Sequence, residues 1–143
     1  MQPEFYPMPS FPTLAVREVE ISSRWYQETL GFAHVFTMPG PDGRAGLVHL
    51  RWAKYADLLI RSGAAVADKK GVGITLSYAV ADGLDALAAR ARAAFVQEPG
   101  DRPWNARDFS VADPDGFTLT FTMGPLKRDV SFDAVIAKAQ KRE

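Results

Sequence analysis

Residues Pro103–Met123 read PWNARDFSVADPDGFTLTFTM and predict a β-hairpin. Two predicted strands, Arg107–Ala112 and Phe117–Met123, flank a turn at residues 113–116, Asp-Pro-Asp-Gly. Proline presets the backbone for a turn, aspartate bonds to its own backbone, and glycine accepts the positive φ that closes a hairpin. In the second strand apolar residues alternate with threonines, which is typical of a sheet that has one face in water.

Upstream of the hairpin, the chain begins with a strand, a helix and three more strands. The predicted first strand is Thr13–Val19. Ser22 or Ser23 is the expected N-cap of the helix, and Gly31 ends it because a left-handed residue costs least there. The three strands that follow are predicted at Phe32–Met38, Arg44–Trp52 and Ala56–Ile60.

The same order of elements then restarts and leads into the hairpin. Ile74–Val80 is a predicted strand, Asp82 is the expected N-cap of a second helix, and Phe95–Gly100 is a short strand. Repetition on this scale predicts an α+β fold of two strand–helix–strand–strand–strand (βαβββ) modules. The modules cover about residues 13–62 and 73–124 of a single domain at 13–124.

Three segments lie outside the modules. Residues 1–12 contain four prolines and are expected to form an extended arm. Residues 62–73 are small and polar and are interpreted as a linker between the halves. Residues 125–143 form a C-terminal tail, in which Ser131 is expected to cap a helix whose inward-facing residues are Phe132, Val135, Ile136 and Ala139.

Composition excludes several functional classes. The 143 residues include 17 Lys plus Arg and 17 Asp plus Glu, so the net charge is zero and argues against nucleic-acid binding. The sequence has no cysteine, which excludes disulfides and thiolate chemistry and is compatible with the cytoplasm. No apolar stretch approaches the roughly 20 residues of a membrane span, and the N-terminus lacks the pattern of a secretory signal.

A set of ordered motifs resembles a known superfamily. They are the proline before the first strand, an aromatic pair before Leu-Gly-Phe, a Gly-Leu-Asp helix start, and Pro-Trp before the hairpin; these motifs lie at Pro12, Trp25-Tyr26, Leu30–Phe32, Gly83–Asp85 and Pro103-Trp104. Together, from about residue 12 to 123, they resemble the vicinal oxygen chelate superfamily of glyoxalase I, extradiol dioxygenases and bleomycin-resistance proteins. The bleomycin-resistance branch is the most similar part of that superfamily.

The resemblance implies two βαβββ modules whose mixed sheet curls around a cleft. In the metal enzymes of the superfamily, ligands come from the first, fourth, fifth and last strands. The corresponding positions here are Phe11, Leu58 or Leu59, Thr75 and Thr120. Phenylalanine and leucine cannot bind a divalent metal, and threonine rarely does. The resemblance therefore predicts a protein with no metal at this site and no cofactor.

Bleomycin-resistance proteins sequester a drug in clefts between two subunits and do not transform it. By resemblance, the aromatic residues that would stack on the ligand are Phe36, Tyr78 and Trp104. Arg107 and Asp108 are expected to contact polar groups at the rim of the cleft. The leading interpretation is thus a homodimer that binds a planar aromatic small molecule, such as a glycopeptide or another aromatic antibiotic.

Structural roles compete with these assignments. Phe36 and Tyr78 alternate along strands and are also expected in core or interface packing, and Trp52, at a strand end, fits either role. A second hypothesis is a metal-dependent, glyoxalase- or dioxygenase-like lyase with relocated ligands at His34, His49 or Asp57. A third is a ligand-free structural or regulatory dimer. In resembling proteins the N-terminal arm crosses to the partner subunit.

Overall fold

Two four-stranded mixed sheets and three α-helices make up residues 3–63 and 71–141, the part of the chain that the computed structural model describes. The chain divides into two compact units. The first extends through Val72 and also includes Asp113–Gly116; the second comprises Gly73–Ala112 and continues from Phe117. The predicted linker at 62–73 lies only partly within this description, because residues 64–70 are outside it.

The first unit contains one sheet and one long helix. Its elements are β1 (Thr13–Ala15), α1 (Val19–Leu30), β2 (Ala33–Pro39), β3 (Ala45–Ala53) and β4 (Ala56–Arg61). The strand order is β1-β4-β3-β2, with β1 parallel to β4 and the other pairs antiparallel. Helix α1 packs against β3 and β4, and Leu50, Leu58 and Ile60 are buried there.

The second unit repeats this arrangement. Its elements are β5 (Thr75–Ala79), α2 (Leu84–Arg90), β6 (Phe95–Arg102), β7 (Ala106–Ala112) and β8 (Thr118–Met123). The strand order β5-β8-β7-β6 has the same topology as the first sheet, and β5 is likewise parallel to β8. The expected α+β fold of two βαβββ modules is confirmed.

The hairpin predicted from residues 113–116 is also confirmed. Strands β7 and β8 are antiparallel, with Ser110 opposite Thr120. In the turn, the backbone N–H of Gly116 donates to the Asp113 carbonyl at 2.9 Å, and the N–H of Asp115 donates to the Asp113 side chain at 2.9 Å. Gly116 has a φ of 94°, which is the conformation that the glycine was expected to supply.

The predicted start of α1 is wrong. The helix begins at Val19, and Ser22 and Ser23 are buried within it rather than capping it. Their hydroxyls have other partners, because Ser22 donates to Asp115 at 3.2 Å and Ser23 accepts from Gln27 at 2.9 Å. Asp115 lies 93 positions from Ser22 along the chain, so no local pattern could indicate this contact.

Two other helix ends separate correct predictions from incorrect ones. Gly31 ends α1 with a φ of 82°, as predicted. Helix α2 starts at Leu84 as the Gly-Leu-Asp motif indicates, but its N-cap is Gly83 and not Asp82. No side chain caps the first turn of α2.

The C-terminal helix α3 (Phe132–Gln140) forms where it was predicted but is not buried as predicted. Ser131 caps it, since its hydroxyl accepts a hydrogen bond from the Ala134 N–H at 3.2 Å. Of the four residues expected to face inward, Phe132 and Ile136 are 76% and 39% exposed, whereas Val135 and Ala139 are half-buried. The apolar stripe of α3 is therefore covered only in part within the described part of this chain.

Candidate functional site

The positions that correspond to metal ligands in related enzymes do not fit a metal here. In the first unit, Leu58 is buried beneath α1 and Leu59 lies on the opposite face of β4, while Phe11 precedes the sheet. In the second unit, Thr75 is exposed, and the Thr120 hydroxyl shares a hydrogen bond with the Ser110 hydroxyl at 2.7 Å. None of these side chains supplies an imidazole or carboxylate donor, so no catalytic step is derived through a metal at these positions.

The alternative, relocated metal ligands are brought together only in part. His49 and Asp57 are in contact, whereas the His34 ring hydrogen-bonds the Thr37 hydroxyl at 2.7 Å. Asp57 is already surrounded by hydrogen-bond donors, as described below. Across residues 3–63 and 71–141, no three His, Asp or Glu side chains are grouped in a way that could hold a metal ion.

Trp104 borders a groove in the second unit. The groove has a volume of about 600 Å³, within the usual range for small-molecule sites. One side is formed by Val80, Thr122 and the half-exposed Trp104, and the other by Phe132 and Val135 of the C-terminal segment. Among the described residues that line this groove, none carries a charge.

Asn105 holds the C-terminal segment beside Trp104. Its side-chain amide donates to the Lys127 carbonyl at 2.7 Å and accepts from the Lys127 N–H at 2.9 Å. Its backbone carbonyl accepts from the Leu126 N–H at 3.0 Å. Asn105 has a φ of 63°, a left-handed conformation that asparagine tolerates better than most residues. These hydrogen bonds tie the segment that precedes α3 to the turn that holds Trp104.

The residues predicted at the rim of the cleft, Arg107 and Asp108, are paired with other charged side chains of the second unit. The Arg107 guanidinium is 3.1 Å from both Asp101 and Asp85, and the hydrogen bonds that it donates to these carboxylates raise its pKa above the usual value. Asp108 is buried and lies 2.8 Å from the Arg102 side chain. Both predicted rim residues therefore have charged partners within their own unit.

The three remaining aromatic candidates are not among the described residues that line the Trp104 groove. Tyr78 is only 7% exposed and stacks on Phe121 with ring centroids 5.8 Å apart, which favours core packing over ligand contact. Trp52 packs against Phe32 at 5.5 Å in the first unit. Phe36 is half-buried on the first sheet, with its ring edge-on to another ring of that sheet, His49, at 5.3 Å.

A buried polar cluster in the first unit was not recognised as a group from the sequence. Asp57 of β4 lies opposite Arg51 of β3, and the two side chains are 2.9 Å apart. His49, two residues before Arg51, approaches the same carboxylate oxygen at 2.6 Å. The Tyr6 hydroxyl donates to the other oxygen. The residues are 51 positions apart at the extremes, so only the folded strands bring them together.

The protonation of this cluster follows from its contacts. Desolvation alone would raise the pKa of Asp57, but the hydrogen bonds from Tyr6, His49 and Arg51 outweigh it and hold that pKa below its usual value. For Tyr6, desolvation and the Asp57 hydrogen bond raise the pKa above its usual value. At neutral pH the cluster therefore contains a carboxylate and a protonated phenol.

A family model of the Glyoxalase/Bleomycin resistance protein/Dioxygenase superfamily matches residues 10–121. The chain belongs to this superfamily. The match covers both βαβββ modules, and it confirms the family resemblance carried by the motifs between residues 12 and 123. A search of curated proteins finds no match.

Solved structures share the fold at low sequence identity. TioX from Micromonospora sp. ML1 matches with a TM-score of 0.65 and 22% identity, covering 80% of this chain and 94% of that chain. A glyoxylase/bleomycin resistance protein/dioxygenase domain from Frankia sp. EAN1pec has the same TM-score of 0.65 and 22% identity, covering 84% and 99%. A glyoxalase-related enzyme from Fulvimarina pelagi matches at 0.64 and 22%, covering 85% and 94%.

Within the described residues, every helix is too short or too polar to cross a membrane.

Proposed function

We propose that this protein is a metal-independent small-molecule binding protein of the bleomycin-resistance type, which sequesters a planar aromatic ligand at the Trp104 groove. The observation that carries the proposal is the half-exposed Trp104 ring beside an uncharged groove of about 600 Å³. A large aromatic side chain left half in solvent is a ready stacking surface. The non-ligating side chains at the four family metal positions support binding without metal chemistry.

The lining of the groove favours a particular ligand chemistry. With no charged residue among its described lining, the groove offers a cationic drug no carboxylate to pair with. Its hydrogen-bonding side chains are those of Thr122, Trp104 and Asn105, and the amide of Asn105 is already bonded to Lys127. A neutral planar aromatic compound therefore fits better than a cationic glycopeptide.

The proposal includes a homodimer that acts in the cytoplasm in a resistance role. Support for the dimer comes from the apolar side chains of Phe132 and Ile136, which are exposed on α3 in the single chain. A second copy is a suitable cover for such a surface, since burial of apolar area contributes about 25 cal/mol per Å².

The proposal is tested with metal analysis followed by a ligand screen on intrinsic tryptophan fluorescence. The purified protein is expected to contain well below one equivalent of Zn, Ni, Fe or Mn, and a neutral planar aromatic compound is expected to quench fluorescence. About one tightly held equivalent of metal per subunit would instead support the relocated-metal lyase. Unchanged fluorescence across a broad panel would support the ligand-free dimer.

Substitution then assigns the site. Trp104→Ala is expected to weaken binding by about tenfold, because stacking on an aromatic ring contributes roughly 1 kcal/mol or more. Trp25→Phe is the matched control, since Trp25 packs edge-on against Tyr26 at 5.1 Å on α1 and should leave affinity unchanged. Equal affinity in the wild type and Trp104→Ala, measured by calorimetry, would refute the groove as the binding site.

A further inference from the structure

The ring of Tyr6 packs into a pocket that residues of the first unit form around it. Helix α1 covers the face of that sheet that holds Leu58, so the alternating residue Asp57 lies on the other face. There the Arg51 guanidinium carbon lies 4.4 Å above the centre of the Tyr6 ring, and the Tyr55 ring packs against it at 4.8 Å. The Tyr6 hydroxyl donates to Asp57 and accepts from the Tyr55 backbone N–H at 2.7 Å.

These contacts together recognise a phenol and not merely an aromatic ring. A cation above the ring and a second ring beside it bind any aromatic face. The carboxylate of Asp57 requires a donor, and the N–H of Tyr55 requires an acceptor, so a hydroxyl on the ring satisfies both. A ring without a hydroxyl would leave a buried carboxylate oxygen and a backbone N–H with one partner fewer, which costs free energy.

The strands of the first unit build this pocket without the help of the arm. Asp57 and Arg51 face each other across β4 and β3, and their ion pair at 2.9 Å fixes both side chains. The His49 ring nitrogen lies 2.6 Å from the same carboxylate oxygen that Arg51 approaches. Two of the three side chains that bond to Asp57, those of Arg51 and His49, therefore come from β3 and not from the arm.

The arm that carries Tyr6 is held by little else. Residues 3–12 form no helix or strand, and the adjacent Phe5 is largely exposed. The other described polar contacts of this segment are few. The Glu4 carbonyl accepts from Arg51 at 2.8 Å, the Glu4 carboxylate pairs with Lys54 at 3.0 Å, and the Pro12 carbonyl accepts from the Leu59 N–H at 3.0 Å. Both groups of the Glu4–Lys54 pair are more than half exposed, and such pairs contribute little.

We infer that the pocket formed by Arg51, Tyr55 and Asp57 is a binding site for phenolic compounds, and that Tyr6 is its tethered occupant. A free phenol binds there by displacing the arm. A tethered side chain acts at an effective concentration in the millimolar range, so a phenol competes with it only when it binds more tightly or is abundant. The site does not depend on the Trp104 groove, and its test uses a different probe.

The test removes the tethered occupant and supplies it in free form. Full-length Tyr6→Ala is titrated by calorimetry with 4-methylphenol, which reproduces the tyrosine side chain, and with toluene, which has the ring without the hydroxyl. We expect one equivalent of 4-methylphenol to bind Tyr6→Ala at least tenfold more tightly than the wild type. Toluene is expected to bind Tyr6→Ala at least tenfold more weakly than 4-methylphenol.

Two further variants keep the inference open to refutation. Asp57→Asn combined with Tyr6→Ala is expected to lose most of the preference for 4-methylphenol over toluene. If Tyr6→Ala does not fold, Tyr6→Phe retains the ring, lacks the bond to Asp57, and is expected to release its arm to 4-methylphenol more readily than the wild type. The inference is overturned if 4-methylphenol binds none of the Tyr6 variants that fold. It is also overturned if toluene binds as tightly as 4-methylphenol.

Sedimentation identifies the source of the displaced tyrosine. Binding of 4-methylphenol to the wild type is expected to leave the oligomeric state unchanged, since the arm occupies the pocket of its own chain. Dissociation of a dimer into monomers on addition of 4-methylphenol would show that the occupant is Tyr6 of a second copy, and it would overturn the tethered arrangement.

Discussion

Replacing Asp57 with asparagine tests whether the polar cluster of the first unit stabilises the fold. The Asp57 carboxylate is fully buried and accepts hydrogen bonds from Tyr6, His49 and Arg51. Asparagine has nearly the same shape but no charge, and one of its two terminal groups donates instead of accepting. In the Asp57→Asn variant an NH2 group replaces one of the two acceptor oxygens, so at least one of the three hydrogen bonds is lost or reversed.

The expected loss follows from burial and geometry. Removing one member of a buried ion pair typically costs about 3–5 kcal/mol, because the remaining charge is left without compensation. The Arg51 side chain keeps 13% exposure and can regain some hydration, which places the estimate at about 3 kcal/mol, the lower end of that range. A loss of about 3 kcal/mol raises the unfolding equilibrium constant by more than about 100-fold.

Urea denaturation followed by circular dichroism measures this loss. With a slope of about 2 kcal/mol per molar urea, the midpoint of Asp57→Asn is expected to fall by about 1.5 M with the slope unchanged. Asp85→Asn is the matched control, because Asp85 also pairs with an arginine but its side chain is 70% exposed. The control should lose no more than about 0.5 kcal/mol. The reasoning is refuted if Asp57→Asn loses less than about 1 kcal/mol.

Two more predictions concern pH and the C-terminal segment. The folded pKa of Asp57 lies below its usual value, so the contribution of this carboxylate to the stability of the fold is fully present above about pH 5 and is lost as the pH falls through the folded pKa. The difference in unfolding free energy between the wild type and Asp57→Asn should therefore shrink below about pH 4. Asn105→Ala loses both side-chain bonds to Lys127 and places at a φ of 63° a residue that tolerates the left-handed region less well than asparagine, so we expect about 2 kcal/mol of destabilisation and faster amide exchange at Leu126 and Lys127. Asn105→Gly, which tolerates that φ, should lose about half as much, and equal losses in the two variants would contradict the backbone part of this reasoning.

Local sequence patterns were sufficient for the elements and their order. The Asp-Pro-Asp-Gly turn, the stop of α1 at Gly31 and the capping of α3 by Ser131 depend on preferences of a few adjacent residues, and the structure confirms all three. The alternation of apolar residues and threonines in β8 likewise depends on the two-residue period of a strand. The repeated order of elements then predicted the two βαβββ modules. The family resemblance located the metal positions in the sequence, and the residue types there showed that they carry no imidazole or carboxylate.

Tertiary structure decided which side chains meet. Helix α1 starts at Val19, and the serines expected as caps lie inside it, where Ser22 bonds to Asp115. Tyr78 stacks on Phe121 instead of lying exposed. The pocket around Asp57 joins an arm residue, Tyr6, to two strands, and no spacing along the chain marks that group. Backbone preferences act over a few residues and are written in the sequence, whereas contacts between distant side chains depend on strand register and on burial, which exist only once the sheets have formed.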